Sequence, residues 1–529
     1  MRSRIVPLII DDLAARKEAE KGLLLYISGG RGYHERTVIE ETPRDESSGP
    51  APSGSGAEPR FARRLGLLDT ALLVVGAVVG SGIFLTSGHI LSILPSPGLL
   101  LLVWLAGGLI TVSGALSFAE LGGMFPDAGG PYLYIREAYG RAAGFLFGWA
   151  FFWFIMCGGL AALAVGFAEF LGSFFPALST QAVVFSLTAG GKAFTVSAGQ
   201  LVAAAAIVLL TAVNTRGIET SAAVQNALTF LRVGPVLALV VLGLVMGERS
   251  GVKAIGDLLT TGGLGGAGLI KAFGLALVAV FWTYDGWYAA SCTAGEVRDP
   301  ARNLTLGLVL GTLAVTVLYV AINVVYILAV PVEALAGVTR VAEVVGTALF
   351  GPGAATFLAA LIAVSVFGCL DANIIMGPRV YFAMARDGCF FRGMGRLGAR
   401  SRVPVRALWG QAAWSVVLCL WGTYRSLYEY MVFALLLFFA ATGMALFRLR
   451  RRRPLAPRPY RAWGYPVIPA FFIFASLGVF LNTVASSPVK SLVGLGLLAL
   501  GGPAYLIWRK RTVRPEGTGA PLSRDFGVK

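Results

Sequence analysis

The sequence contains few charged residues and almost no histidine. Only 14% of its 529 residues are Asp, Glu, Lys or Arg, whereas about a quarter are charged in a typical soluble protein. His34 and His89 are the only histidines, which argues against His-based catalysis and most metal sites. The five cysteines lie outside the loops that we predict to face the exterior, so no disulfide framework is indicated. We expect no cofactor, no bound metal and no enzymatic activity.

Apolar residues dominate instead. They make up 56% of the chain, and the mean hydropathy is +0.74. Runs of about twenty apolar residues recur, which is the length that a helix needs to cross roughly 30 Å of hydrocarbon. The net charge of +16 does not indicate nucleic-acid binding, because the basic residues lie in short loops between apolar runs. The sequence therefore predicts an all-α polytopic membrane protein.

The apolar runs predict twelve transmembrane helices. The predicted spans are 66–92, 99–124, 142–172, 198–214, 222–247, 269–292, 303–330, 352–385, 406–423, 428–448, 464–484 and 490–508. Lys and Arg concentrate in one set of loops, which includes "RLRRRRP" and the cluster from Arg386 to Arg406. Such loops face the cytoplasm. An even number of spans then places both termini in the cytoplasm, and we expect the protein in the cell (inner) membrane.

The ends of the chain differ in composition from its centre. Residues 1–60 are polar and contain "ESSGPAPSGSGAEPR", which is typical of a disordered tail. A wrongly assigned start codon explains this segment equally well. No signal peptide is indicated. We expect a membrane domain over 61–510 and a cytoplasmic C-terminal tail over 511–529.

The spans divide into two blocks of similar length. Spans one to five cover about 66–247, and spans six to ten cover about 269–447. Because five is odd, the second block begins on the opposite side of the membrane. Two such blocks are the sequence outline of an inverted-repeat transporter. The last two spans, about 464–508, are additions to this repeat.

Each block begins with a span that is interrupted near its middle. The first contains "GAVVGSGIF", with Ser81 about 22 Å along the helix, and the sixth contains "FWTYDGWYAAS", with Asp285 about 24 Å along. Gly76 and Gly80 also form a GxxxG pattern, which is a common device for close helix packing. Paired interruptions in corresponding spans favour a transporter binding site.

An interrupted membrane helix has a definite chemistry. Unwinding frees N–H groups at a positive dipole end, which suits a carboxylate, and it frees carbonyl groups, which suit an ammonium. Such backbone is tolerated at membrane depth only where it lines a cavity. Glycine provides the required conformational freedom. The pattern therefore indicates a site for an α-amino acid zwitterion.

Five motifs in order resemble the amino acid–polyamine–organocation transporters, and within them the bacterial relatives of the L-type amino acid transporters. They are "VVGSGIF", "ALSFAELGGMFPDAGGPYLYIREAYG", "WTYDGW…GEVRDPARNL", "GPRVYFAMARDG" and "RPYRAWGYPVIPA". The resemblance spans nearly all of residues 61–508. It implies a LeuT-like five-plus-five inverted repeat and amino acid transport by alternating access.

The resemblance also implies which residues bind the substrate. The carboxylate is expected at the break of the first helix, at Gly80, Ser81, Gly82 and Ile83. The amine is expected at carbonyl groups of Val78, Trp282, Thr283 and Asp285. Trp282 is expected to close the site from outside. A core aromatic is the alternative interpretation of Trp282.

Arg232 differs from the usual residue in this family. Relatives often carry Lys in the fifth helix, where its ammonium resembles a sodium ion between helices one and eight. Arg232 is about 15 Å into its predicted span, and a charge there is by default a functional hypothesis. The eighth span offers Ser365 and Asp371 as oxygen partners. The alternative is a purely structural ion pair.

We therefore expect a secondary transporter of neutral amino acids that works by sodium-independent exchange or proton symport. The alternative is a carrier of cationic amino acids or polyamines, because Asp285 is the only acid in the predicted site. A channel or a transporter-like sensor is a weaker alternative. Animal L-type relatives are linked to a heavy chain through a cysteine after the third helix. The corresponding loop here, about 173–197, has no cysteine, so we expect no disulfide-linked partner.

Overall fold

Long apolar helices make up most of the described chain. The computed structural model describes residues 63–189, 192–216, 233–234, 236–245, 263–398 and 401–511. Within these ranges, nine helices are long and apolar enough to cross a membrane. One antiparallel pair of strands interrupts the helical chain. The predicted tails, 1–60 and 511–529, lie outside the described residues apart from Arg511.

The elements follow one another as a series of helices with one hairpin. The helices are α1 (Leu67–Val78), α2 (Gly82–Leu85), α3 (Ser87–Ile93), α4 (Pro97–Met124), α5 (Pro131–Tyr139), α6 (Arg141–Ala150), α7 (Cys157–Phe174), α8 (Ala198–Asn214), α9 (Val236–Val245), α10 (Gly266–Tyr284), α11 (Ala289–Cys292), α12 (Pro300–Ala329), α13 (Val332–Leu335), α14 (Val341–Phe350), α15 (Pro352–Arg386), α16 (Val405–Trp421), α17 (Tyr424–Arg452), α18 (Val467–Ser486), α19 (Pro488–Ala499) and α20 (Gly501–Arg511). The strands are β1 (Val183–Ala189) and β2 (Lys192–Ser197). A π-helical turn, Phe151–Met156, joins α6 to α7 in one long span.

The predicted architecture is confirmed as a mostly helical, polytopic membrane fold, whereas the number of spans stays a prediction. The predicted fourth and ninth spans correspond to α8 and α16, each of which has 17 residues. Most of the predicted fifth span, 222–247, lies outside the described residues. Two helices, α5 and α14, lie in segments that the hydropathy pattern left between spans. Each has ten residues or fewer, which is too short to cross a bilayer.

A buried carboxylate joins the second predicted span to the last third of the chain. Glu120 near the end of α4 has no exposed surface. It accepts hydrogen bonds from Arg450 on α17, at 2.9 Å and 2.5 Å, and from the Ala462 amide, at 2.7 Å. Arg458 lies 3.3 Å from the same carboxylate. These contacts satisfy a buried charge, and they fix the segment between α17 and α18 against α4.

Candidate functional site

Both predicted interruptions are present as breaks between helices. The first helix stops at Val78 and resumes at Gly82. The sixth predicted span stops at Tyr284 and resumes at Ala289. At each break the chain continues without regular helical hydrogen bonds, so N–H and carbonyl groups become available within a predicted span.

The two breaks lie against each other. Gly286 has φ of 98°, and a Cβ atom there would lie 2.6 Å from the Ala77 carbonyl oxygen. Only glycine permits both this conformation and this approach. The Tyr319 hydroxyl on α12 donates to the Val78 carbonyl at 2.9 Å and also lies 3.3 Å from the Thr283 carbonyl oxygen. One buried hydroxyl on α12 therefore connects the two interrupted backbones.

A small cavity lies at the junction of the two breaks. Seven of the eight predicted substrate residues line it, namely Val78, Gly80, Ser81, Gly82, Trp282, Thr283 and Asp285. The eighth, Ile83, does not line it, and its carbonyl accepts a hydrogen bond from the Tyr326 hydroxyl at 3.3 Å. The remaining lining residues are Ala77, Ile155, Met156, Gly159, Leu160, Leu163, Cys369, Asn373 and Met431. Most of these additional residues are apolar.

Polar groups of opposite character line this cavity. Gly82 begins a helix, so its N–H belongs to the group of terminal donors that have no intrahelical acceptor. Asp285 at the second break also lines the cavity, and its Oδ1 atom is buried. The arrangement offers donors to an anion and acceptors to a cation a short distance apart.

The eighth predicted span supplies two further polar side chains to the cavity. Cys369 Sγ donates to the Ala77 carbonyl at 3.2 Å, and Asn373 Nδ2 donates to the same oxygen at 3.1 Å. Both residues are on α15 and are buried. They stabilise the carbonyl that the end of α1 leaves exposed, and they hold α15 against the first break.

Three aromatic residues pack against one another, and one of them, Trp282, lines the cavity. The Trp282 ring is stacked on Tyr428, with centroids 5.7 Å apart, and it meets Tyr424 edge-on at 6.0 Å. Trp282 Nε1 donates to the Tyr424 hydroxyl at 2.9 Å. The Tyr424 hydroxyl also lies 3.3 Å from Ser81 Oγ. Tyr424 therefore connects both broken helices to the start of α17.

Backbone and charge contacts hold the residues before α1 against the segment that follows α11. The amides of Arg64 and Leu65 donate to the Glu296 carbonyl at 2.8 Å and 3.0 Å. The Glu296 carboxylate is paired with Arg379 Nε at 3.0 Å, and their side chains are only 13% and 5% exposed. This contact joins α15 to the segment that follows α11.

Two of the three predicted ion-mimic residues are described by the structure, and neither of them lines the cavity. Arg232 is outside the described residues. Ser365 and Asp371 are buried on α15, and neither lines the cavity. Asp371 Oδ1 accepts a hydrogen bond of 2.6 Å from Asn214 Nδ2 at the end of α8. Asp371 therefore lies at the contact between α8 and α15.

Sequence reasoning missed four residues that build the site, which are Tyr319, Cys369, Asn373 and Tyr424. A signal existed for two of them, because "FGCLDANIIM" places Cys369 and Asn373 two residues either side of Asp371 in an apolar run. Tyr319 and Tyr424 gave no such signal. A tyrosine in an apolar span is ordinary, and its hydroxyl partner depends on packing between distant spans.

Comparison with known proteins gives consistent results over most of the chain. A family model described as amino acid permease matches residues 65–494. The serine/threonine exchanger SteT of Bacillus subtilis is 28% identical over 453 residues, which are 85% of this chain and 97% of that protein. The b(0,+)-type amino acid transporter 1 of Mus musculus is 28% identical over 86% of this chain and 91% of its own length.

The name of a third relative specifies a different class of substrate. The large neutral amino acids transporter small subunit 2 of Oryctolagus cuniculus is 28% identical over 90% of this chain and 86% of its own length. The matching family model covers well over half of the sequence. The chain therefore belongs to the amino acid permease family, as the five motifs predicted.

Proposed function

We propose that this member of the amino acid permease family carries neutral amino acids across the cell membrane by alternating access. The observation that supports the proposal is the junction of two broken helices at one cavity, with N–H donors and carbonyl acceptors side by side. Transport is sodium-independent exchange or proton symport in this proposal. The relatives are named as transporters or an exchanger rather than as enzymes.

The zwitterionic part of the substrate would be held mainly by backbone. Its carboxylate meets the amides of the first break that line the cavity, at Gly80, Ser81 and Gly82, while Ile83 stays a sequence prediction. Its amine meets the carbonyl groups at Val78, Trp282, Thr283 and Asp285. Backbone groups recognise what all α-amino acids share, and they leave the choice of side chain to the rest of the cavity.

The apolar lining favours a neutral side chain. Ile155, Leu160 and Met431 provide no countercharge, and Asp285 is the only acidic residue among the lining residues. The names of two relatives specify serine/threonine and large neutral amino acids. The cationic amino acid and polyamine alternative is therefore not favoured.

Uptake into proteoliposomes tests this substrate class. Labelled alanine uptake is measured with unlabelled alanine, leucine or arginine as competitor at the same concentration. The proposal expects alanine and leucine to compete strongly and arginine weakly. Strong competition by arginine, together with uptake of labelled arginine, would restore the cationic alternative.

In the proposed cycle, Trp282 closes the substrate site from the outer side and opens with the movement of its half-helix. Its contacts with Tyr424 and Tyr428 support this role. In this proposal the protein lies in the inner membrane with both termini in the cytoplasm. The distribution of Lys and Arg among the loops supports this orientation. The transporter domain covers 61–510 in this proposal.

We expect Tyr424→Phe to raise the KM for uptake about tenfold, since the loss of one or two hydrogen bonds costs about 1–2 kcal/mol. The substitution removes the hydroxyl that connects Ser81 and Trp282, while the ring and its packing remain. Tyr430→Phe on the same helix is the control, because the hydrogen bonds of Ser81 Oγ and Trp282 Nε1 go to the Tyr424 hydroxyl and not to that of Tyr430. An unchanged KM in Tyr424→Phe would show that uptake does not depend on this hydroxyl.

We also expect the chain to function without a disulfide-linked partner subunit. The five cysteines at 157, 292, 369, 389 and 419 are buried, and the loop at 173–197 has none. Gels of native membranes run without reductant should show the chain unlinked, at the same position as in reduced samples. A larger band that disappears on reduction contradicts this expectation.

A further inference from the structure

The hairpin between α7 and α8 has two chemically different faces. Its register pairs Phe185 with Val196 and Leu187 with Phe194. Ser186 pairs with Thr195 on the alternate face, because successive strand residues point to opposite sides. Over these three pairs, one face is therefore aromatic and aliphatic, while the other carries hydroxyl groups.

The apolar face is largely uncovered by protein. Phe185 is 51% exposed and Leu187 is 56% exposed. The Phe194 ring contacts the Trp421 ring, with centroids 5.2 Å apart, but Trp421 itself is 77% exposed. An isolated two-stranded hairpin has little stability in water. A clustered apolar face of this kind indicates a surface that is covered by lipid or by another molecule.

The hairpin lies at the ends of two bundle helices, at the start of α8 and beside the end of α16. Ser197 ends β2 and is also the N-cap of α8, so the strand leads into a bundle helix without a linker. The Ala198 amide donates to the Ala182 carbonyl at 2.7 Å and holds the base of the hairpin at the helix end. Trp421 is the last residue of α16.

The same surface continues along the bundle helices. Leu201 in the first turn of α8 is 47% exposed, and Val417 in the last turn of α16 is 44% exposed. Exposed aliphatic residues on helices of a multi-pass membrane protein face lipid. The apolar face of the hairpin is thus continuous, through Trp421, with the lipid-facing surface of α8 and α16.

We propose that the hairpin docks with its apolar face on the lipid surface at the Tyr424 end of the bundle. Trp421 lies at the boundary, the level at which tryptophan is enriched in membrane proteins. Phe185 and Leu187 enter the region between headgroups and acyl chains, as the apolar residues of interfacial segments do. Ser186 and Thr195 face water. The hairpin then acts as a lipid-bound anchor for the start of α8.

Spin-label accessibility tests this orientation on the full chain in nanodiscs of phosphatidylethanolamine and phosphatidylglycerol. Leu187→Cys reports the apolar face, and Ser186→Cys is the matched control on the adjacent hydroxyl face. Both sites are exposed, so a label is accommodated at either. The unmodified chain, whose five cysteines are buried, gives the labelling background, and uptake by each labelled variant confirms folding.

The two collision partners separate the outcomes. At Leu187→Cys we expect oxygen accessibility to exceed that of a water-soluble nickel chelate several-fold, and at Ser186→Cys we expect the reverse. High nickel accessibility at both sites means that the hairpin stands in water, which overturns the proposal. Low accessibility to both reagents at Leu187→Cys, with or without spin–spin broadening between copies, indicates a protein contact and overturns it as well.

Discussion

Gly82→Leu abolishes amino acid binding while the protein still folds and inserts, if the first break is the carboxylate site. A Cβ atom at Gly82 would lie 2.5 Å from Thr283 Oγ1 and 2.9 Å from the Thr283 Cα atom. A leucine there separates the two breaks and fills the space beside the Ser81 and Gly82 amides. We expect no measurable binding of a labelled neutral amino acid by purified protein.

Gly478→Leu is the matched control for this experiment. Gly478 is an exposed glycine on α18, and a Cβ atom there has no neighbour within 4 Å. Size-exclusion chromatography in detergent compares the folding of both variants with that of the unmodified chain. Ser81→Ala is a second variant that retains every backbone amide and should keep most of the binding. Unchanged binding by a well-folded Gly82→Leu variant contradicts the assignment of the carboxylate site.

Arg232→Ala is expected to abolish most transport, and Arg232→Lys to retain part of it. We propose that Arg232 takes the place of a sodium ion, because it lies near the middle of a predicted span where relatives often have lysine. A membrane-buried cation without compensation costs several kcal/mol on most estimates. Ser365 and Asp371 on α15 remain the proposed oxygen partners. Arg340→Ala is the control, since Arg340 is 37% exposed and paired with Glu343.

The same proposal predicts how transport responds to sodium. Uptake by the unmodified protein should be equal in sodium and choline buffers at fixed pH, because a fixed guanidinium already supplies the positive charge. Strong stimulation by sodium rules the proposal out. An arginine does not release its proton at physiological pH, so any proton coupling must use another group. Asp285 and Asp371 are the first residues to test by substitution with asparagine.

The sequence was sufficient for features that depend on local composition. Glycine and aspartate inside apolar runs located both helix breaks, and the structure shows them at Val79–Ser81 and at 285–288. Seven predicted substrate residues line one cavity, at the place where the two breaks meet. The inverted pairing of the blocks was the basis for expecting them to meet.

Features that depend on packing between distant spans were not predictable in this way. The Tyr319 and Tyr424 hydroxyls connect backbone segments far apart in the sequence, and hydropathy carries no information on such distances. The short helices α5 and α14 were missed because the hydropathy pattern reveals only apolar runs long enough to cross a membrane, and both helices are shorter than that. The amphipathic hairpin was missed because its alternation covers only a few residues beside an apolar helix.

Counterflow in proteoliposomes tests the central claim most directly. Vesicles that contain the purified chain are preloaded with unlabelled alanine or left empty, and labelled alanine is added outside in sodium-free buffer. If the chain works by alternating access, labelled alanine accumulates transiently above equilibrium in preloaded vesicles. We expect Gly82→Leu to remove this accumulation. Label that only equilibrates, at the same rate in loaded and empty vesicles, would contradict the account.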